Sequence, residues 1–507
     1  MMEFCKRLQG FRDLIPQFLN SAIPQSVFKH SVTRLRKMKR TDFPGVSGWA
    51  GPPVAVLWTQ SLVWGLLCMD TLSVLDVPFR LLSASEICEG CLDAFRILIV
   101  PGGWAAHKVR VLGETGRQKI AGFIDEGGSY IGFCGGAGLA LSSPPALYLT
   151  PIRRMPLSER LPSASGEIHI SGALSHPAWE DLPARIPVSV WWPSQFLLDP
   201  EPAHSPCQAA CLASYAEPGV GFQVADLRVC DTGEGAGWEQ LEEAYGINLD
   251  PARIKGHPAI IEIEKGKGRL VLSYAHLETP GDDWGNRLFF NILNYLDDVS
   301  GVSTPLCEKS VNSSPLTQGA KRGLSPLLTR QERSAAPSGI RYPASGISKA
   351  KQAAADLIAF GEANLLWNWR KPWLLNWRRG IRGLEYGTLY VTLCYMAELE
   401  LKLAAAPDPG SGAAVYGANW PESTKELEEK TLEFCALAKR LLFEEKIAAG
   451  MGTVSKTGKV NERVDPLRRT LFGKKMNHGG FCGALFDLID RMLLDLLRGG
   501  GAARLWS

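Results

Sequence analysis

SYIGFCGGAGLAL, residues 129–141, sets a short apolar run against a glycine-rich one, with a single cysteine between them. The apolar run predicts a buried strand over Ser129–Phe133. The small apolar residues of Gly135–Leu141 predict a helix packed against that strand. Cys134 occupies the turn, with Gly132 and Gly136 two residues away on either side. A strand that turns sharply into a helix holds its turn residue in a strained backbone, and flanking glycines permit the close approach. The thiol then stands at a strand C-terminus and a helix N-terminus, where the helix dipole favours the thiolate. Two readings of Cys134 stand at this point: a nucleophile, or a buried cysteine in a glycine-rich strand-to-helix turn.

Working outward, VAVLWTQ (54–60), PFRLLSA (78–84) and FRILIVPGG (95–103) read as strands. SLVWGLLCMDTL (61–72) lies between the first two at helical spacing. GETGRQKIAGFIDEGG (113–128) predicts an amphipathic helix with Ile120, Phe123 and Ile124 on one face, stopped by Gly127–Gly128. Apolar strands alternating with helices imply a parallel sheet covered on both faces. The span 144–206 is proline-rich and irregular, with one strand-like run at VSVWW (188–192). CLASY (211–215) is a further strand. AIIEIEKGKGRLVLSYAH (259–276) reads as a hairpin turning at Lys265–Gly268. DDWGNRLFFNILNYL (282–296) closes the unit as a helix capped by Asp282 or Asp283. The expected organisation is a basic, poorly ordered extension over 1–52, an α/β unit over 53–300, a Ser/Pro/Gly-rich linker over 301–346 and a helical domain over 347–507. In that last part, 421–450 is the clearest helix, with Ser423 and Glu426 reading as a capping box.

The chain has 507 residues and a formal net charge of +3, so no global nucleic-acid or membrane signal exists. No segment reaches the ~20 apolar residues that span a bilayer. Twelve cysteines scattered through apolar segments fit a reducing, cytoplasmic setting. Cys88/Cys91 and Cys207/Cys211 have thiolate-pair spacing, but no supporting His or knuckle-type Gly pattern accompanies them, so no metal and no cofactor is expected.

A cysteine nucleophile needs a base, and the base an orienting carboxylate. Of the eight histidines, His276 ends an apolar strand, and Glu278 follows it two residues later. Residues i and i+2 of an extended chain project to one side, so Glu278 can hold the imidazole and leave its other nitrogen for a thiol. Both groups fall at strand ends, where open α/β sheets place their sites. The competing reading of His276 is a structural cap on the sheet edge. Gly103 of the Pro-Gly-Gly turn and Gly135, next after the cysteine, offer unhindered N–H groups for an oxyanion.

The strand–PGG, the Gly-x-Cys-x-Gly elbow and the late His-x-Glu, in that order, resemble the class I glutamine amidotransferase-like superfamily. The wording IGFCGGAGLAL…VLSYAHLETP is most similar to the branch containing the N-terminal domain of biotin–protein ligases and its stand-alone bacterial relatives. The resemblance covers about residues 53–298. It implies a flavodoxin-like α/β fold, Cys134 as nucleophile, His276 as base, Glu278 as orienting acid, and Gly103 and Gly135 as oxyanion donors. Glutamine amidotransferases usually carry Gln four residues after the nucleophile; here that position is Gly138. No biotin ligase core is present: a Gly-Arg-Gly-Arg-type loop is missing and the C-terminal part reads as helical.

Within VSVWWPSQFLLDP (188–200), Trp192 and Gln195 are candidate substrate contacts; an aromatic cover over the core is the other reading. ANLLWNWRKPWLLNWRRGIRGLEYG (363–387) mixes tryptophan with arginine. Its readings are packing of a helical domain, a weak membrane-surface contact through 364–382, or single-strand nucleic-acid stacking. Packing comes first, and no specific nucleic acid is expected. The expected function is cysteine-dependent cleavage of a small carboxamide through a thioester. A non-catalytic ligand-binding or redox-sensing protein on the same fold is the alternative.

Overall fold

The computed structural model describes residues 49–198, 209–233, 237–300, 345–404, 420–452, 459–473 and 479–499. The N-terminal extension up to residue 48 and nearly all of the expected linker lie outside these residues.

Four short apolar runs form the first strands: β1 (Val54–Leu57), β2 (Phe79–Leu82), β3 (Ile97–Val100) and β4 (Ser129–Phe133). β1, β3 and β4 are buried along their whole length, as strands covered on both faces must be. Between them run α1 (Leu62–Val74), α2 (Ala105–Asp125, kinked at Gly113) and, after the cysteine, α3 (Gly135–Ala140). The second half of the sheet holds β5 (Ala164–Gly172), β6 (Arg185–Trp191), β7 (Ala209–Pro218), β8 (Pro258–Lys265) and β9 (Gly268–Ser273). Strand order is β2-β1-β3-β4-β9-β8-β7-β5-β6. The first five are parallel, in the flavodoxin-like order, and the rest are antiparallel. The fold is therefore α/β with a mixed sheet.

The antiparallel extension corrects the reading of 144–206 as irregular apart from one strand. ASGEIHISG is a nine-residue strand, β5, in which Ile168 and Ile170 are buried and His169 between them is less so. Its serines and glycines mask that alternation. The β8–β9 hairpin forms as read. After it, α4 (Asp283–Ser300) starts on Asp282, whose carboxylate accepts from Gly285 N at 3.0 Å.

The C-terminal part contains α5 (Gly346–Ala363), the hairpin β10 (Trp367–Lys371) and β11 (Leu374–Trp377), α6 (Gly383–Ala404), α7 (Trp420–Gly450), α8 (Val464–Phe472) and α9 (Gly480–Gly499). Among the described residues, no helix is long and apolar enough to cross a membrane. α7 begins three residues before Ser423, which is inside the helix and caps nothing; Pro421 takes the first turn, where its missing N–H costs no bond.

This part shares the core of the α/β unit. α1 is apolar over most of its surface because both of its faces are covered, and its one acid, Asp70, accepts from Tyr395 Oη at 3.3 Å. On the side away from the sheet, its Val63 and Leu67 cluster with Val391 of α6. α9 docks at the end of β1: Trp58 Nε1 donates to Asp490 O at 3.0 Å and Gln60 N to Asp490 Oδ2 at 3.0 Å. Beside them, Lys108 is buried and donates to Ser61 Oγ at 2.6 Å. Burial lowers its pKa to about 7, with the Asp490 carboxylate working the other way.

The β10–β11 hairpin corrects the helical reading of 363–387. Its tryptophans face inward. Trp367 and Trp373 are buried, and Trp367 Nε1 donates to Ile358 O at 3.0 Å. Arg370 anchors the hairpin to the edge of the sheet through Ser165, Gln223 Oε1 and Gly221 O. Trp369 and Trp377 are half-buried and pack against the same core.

Candidate active site

β4 and β9 are neighbours, and Phe133 pairs with Ser273. The next residues of each strand therefore leave the sheet side by side: Cys134 from one, Tyr274 to His276 from the other. Cys134 N donates to Ser273 O at 2.8 Å, which ties the two strand ends together. Cys134 has φ 48° and ψ −103°, a left-handed backbone that a cysteine holds only when its surroundings impose it.

The surroundings are glycine. A Cβ on Gly136 would sit 2.0 Å from Val100 O, and one on Gly135 would sit 1.8 Å from Gly103 O. α3 thus starts directly against the backbone of β3 and its Pro-Gly-Gly turn. Gly103 has φ 106°, open to glycine at no steric cost. Gly103 and Gly135 are brought together beside the thiol. Among the described residues neither amide N–H meets a protein acceptor. Two uncommitted donors next to a thiol could receive an oxyanion.

His276 N donates to Ser189 O at 2.8 Å, and the Asn286 side chain holds the Leu277 and Thr279 carbonyls at 2.7 and 2.9 Å. These bonds fix the His-x-Glu segment. His276 Nδ1 and Glu278 Oε1 are 2.8 Å apart, and both side chains are fully buried. Nδ1–H therefore donates to the carboxylate and Nε2 remains. Nε2 has no hydrogen bond of ordinary geometry; the Cys134 thiol is its polar neighbour. Burial alone would lower the imidazole pKa, but the Glu278 carboxylate and the thiol together raise it to about 9.

That value has a thermodynamic consequence. A free imidazole titrates near ~6.5. Between that pH and about 9 the folded protein holds a proton that the unfolded chain releases. The stabilisation is complete below the unfolded value and is lost as pH rises to the folded one. Lys108 runs the opposite way over neighbouring pH, because its folded value is lowered. The comparison must therefore be between wild type and Glu278→Gln. The stability difference measured by urea unfolding is expected to shrink from pH 6 to pH 9. A difference that stays constant would show that Glu278 does not hold the proton on His276.

Indoles surround the imidazole. Trp64 stacks on it at 4.8 Å between centroids, and Trp191 meets it edge-on at 6.1 Å. Trp192 packs edge-on against Trp64 at 6.5 Å and reaches Trp377 of β11 at 6.1 Å. Trp192 thus stands at the rim of the site through Trp64. The Gln195 side-chain Nε2 donates to Glu159 O and Arg253 O, at 3.2 and 3.0 Å, while its Oε1 is buried without a hydrogen bond among the described residues. Trp64 was hidden in a helix apolar over most of its surface. Tyr274 stands two residues before His276, the spacing at which Glu278 was read after it.

Residues 87–143 match the family model for the biotin-protein ligase N-terminal region. The match runs through β3, Gly103, β4, Cys134 and Gly135, so it covers both the Gly-x-Cys-x-Gly elbow and the Pro-Gly-Gly turn. His276 and Glu278 lie beyond it. Among curated proteins, none matches the chain. Similar solved structures include a candidate GMP synthase subunit from Thermoplasma acidophilum (13% identity, 50% of this chain and 96% of that one, TM-score 0.31). A ThuA-like candidate of Bacteroides uniformis is similar at 11% identity, 50% and 95% coverage and TM-score 0.31. A glutamine amidotransferase of Thermotoga maritima is similar at 12% identity, 49% and 85% coverage and TM-score 0.27.

Proposed function

We propose that this chain cleaves a carbon–nitrogen amide bond of a small carboxamide through a thioester on Cys134. The observation that supports the reading is the 2.8 Å contact by which Glu278 orients the His276 ring, whose other nitrogen has the Cys134 thiol as its polar neighbour. The Cys134 sulfur attacks the carbonyl carbon, and the developing oxyanion is received by the N–H groups of Gly103 and Gly135. His276, charged at neutral pH, delivers its proton to the leaving nitrogen; the carbon–nitrogen bond breaks and the thioester remains. The now neutral ring then takes a proton from water as its oxygen attacks the thioester, which releases the acid and restores the thiolate. The reading places the chain in a reducing, cytoplasmic setting, which keeps the thiol free.

A second reading, a ligand-binding or redox-sensing protein without turnover, draws on the indoles that cover His276. Intact-protein mass spectrometry separates the two. The small neutral electrophile iodoacetamide is expected to label Cys134 in wild type and much more slowly in His276→Ala. Ammonia release from glutamine itself is expected to be weak, since Gly138 supplies no side chain to hold it. Robust Cys134-dependent release from glutamine would overturn that expectation. Labelling of Cys134 that ignores His276 would favour the binding reading.

A further inference from the structure

We propose that the site takes carboxamides bearing a carboxylate, gripped by Arg154, Arg160 and Tyr274 beside Cys134; this names the substrate class of the hydrolase reading above and rests on it. Gly138 lies one helical turn after the nucleophile, its N–H donating to Cys134 O at 2.9 Å. A side chain there would meet nothing nearer than Tyr274 Oη, 4.0 Å from the would-be Cβ. The tyrosine hydroxyl therefore bounds the place where a side chain at position 138 would stand, one turn beyond the thiol. That hydroxyl is buried and makes no hydrogen bond of ordinary length. A buried hydroxyl without a partner costs free energy that a ligand oxygen restores.

Two arginines lie near the same tyrosine, one in direct contact with its ring. Arg154 lies over its ring, 5.6 Å from the centroid, and Arg154 Nε donates to Ser194 Oγ at 3.0 Å. Its two terminal nitrogens have no partner among the described residues. Arg160 has a buried Nε, also without one. Burial and the neighbouring Arg154 cation lower the Arg160 pKa to about 10, while Tyr274 works to raise it. Most other partly buried arginines of the fold sit against carboxylates, as Arg253 does on Glu242, Arg269 on Glu262 and Arg468 on Glu445. Arg160 lies close enough to feel the Arg154 charge, and among the described residues no acid is one of the groups acting on it. Holding two cations together without an acid is costly unless an anion is to fill the place. Arginine suits a carboxylate because its planar fork donates two parallel bonds. The same pair repels an α-ammonium, so a net-anionic amide fits where zwitterionic glutamine does not.

The test uses the full chain and two small probes. First, alkylation of Cys134 by iodoacetate and by iodoacetamide is followed on the Cys134 peptide by mass spectrometry. Dividing the two rates removes any change in the thiol itself. The ratio is expected to fall about tenfold or more in Arg154→Gln/Arg160→Gln, the scale of a lost charged hydrogen bond, and to fall in wild type at ~1 M salt. An unchanged ratio overturns the pocket. Second, succinamate binding to Cys134→Ala is read from indole fluorescence, with butyramide as the neutral control. Succinamate is expected to bind at least tenfold more tightly than butyramide, and the double arginine substitution to remove that preference. Tyr274→Phe keeps the ring and its packing, and is expected to weaken succinamate several-fold with no change in butyramide. Equal affinity for the two amides overturns the proposal. A Cys134 inert to both alkylating reagents would count against the hydrolase reading, while the binding arm still decides the pocket.

Discussion

Gly136→Ala is expected to destabilise the protein by at least ~3 kcal/mol, the upper end of ordinary overpacking. The new methyl carbon would stand 2.0 Å from Val100 O and 2.8 Å from Val100 C. Both atoms belong to β3, an interior strand held between β1 and β4, so no flexible side chain can yield. Either α3 lifts off β3 or the Pro-Gly-Gly turn moves, and each separates Gly103 from Gly135. Gly138→Ala is the control with the opposite sign. It adds the same methyl group two residues along the same helix, where nothing lies closer than 4.0 Å. Replacing a helical glycine there is expected to gain ~0.5–1 kcal/mol. Urea unfolding of the two variants against wild type measures both. Similar midpoints for Gly136→Ala and wild type would mean that the close contact between α3 and β3 does not exist.

The pair of glycines explains why the elbow was legible in the sequence. Gly-x-Cys-x-Gly between an apolar run and a small-residue run leaves few backbone solutions, and each is local. His276 and Glu278 were legible as a pair, but not by the expected route: β9 ends at Ser273, and the two meet across a turn in which Thr279 N donates to His276 O at 3.1 Å, while the pairing of β9 with β4 sets that turn beside Cys134. What the sequence concealed depends on long-range partners. The hairpin of residues 367–377 looked helical because its tryptophans follow no clean period. Lys371 before Pro372 was the signal against a helix, since a residue preceding proline is pushed to extended backbone. Arg154 and Arg160 carried no signal at all. Their meaning comes from Tyr274, more than a hundred residues away in sequence, and from the acids that do not accompany them. Likewise α1 read as one more apolar helix until α6 was placed on its outer face.

His276→Ala is expected to lower ammonia release from succinamate by ~10²–10⁴-fold, with little change in KM, because the ring acts on the proton in flight and not on the bound amide. Cys134→Ala is expected to lose at least as much. The double variant should be no slower than the worse single one, since the two groups act as a unit and their losses do not add. Glu278→Gln separates charge from shape. It keeps a side chain of nearly the same size at 2.8 Å from Nδ1 but removes the carboxylate that raises the imidazole pKa to about 9. Loss of that charge lets burial prevail, so the folded value falls. Proton delivery to the leaving nitrogen needs the charged ring, so activity disappears as pH rises through that value. In wild type the alkaline limb of kcat/KM is therefore expected near pH 9, and in Glu278→Gln it should move down by more than one unit. An alkaline limb that stays in place, or single-variant losses that multiply in the double variant, would remove His276 from the chemistry and leave it as a buried cap on the sheet edge.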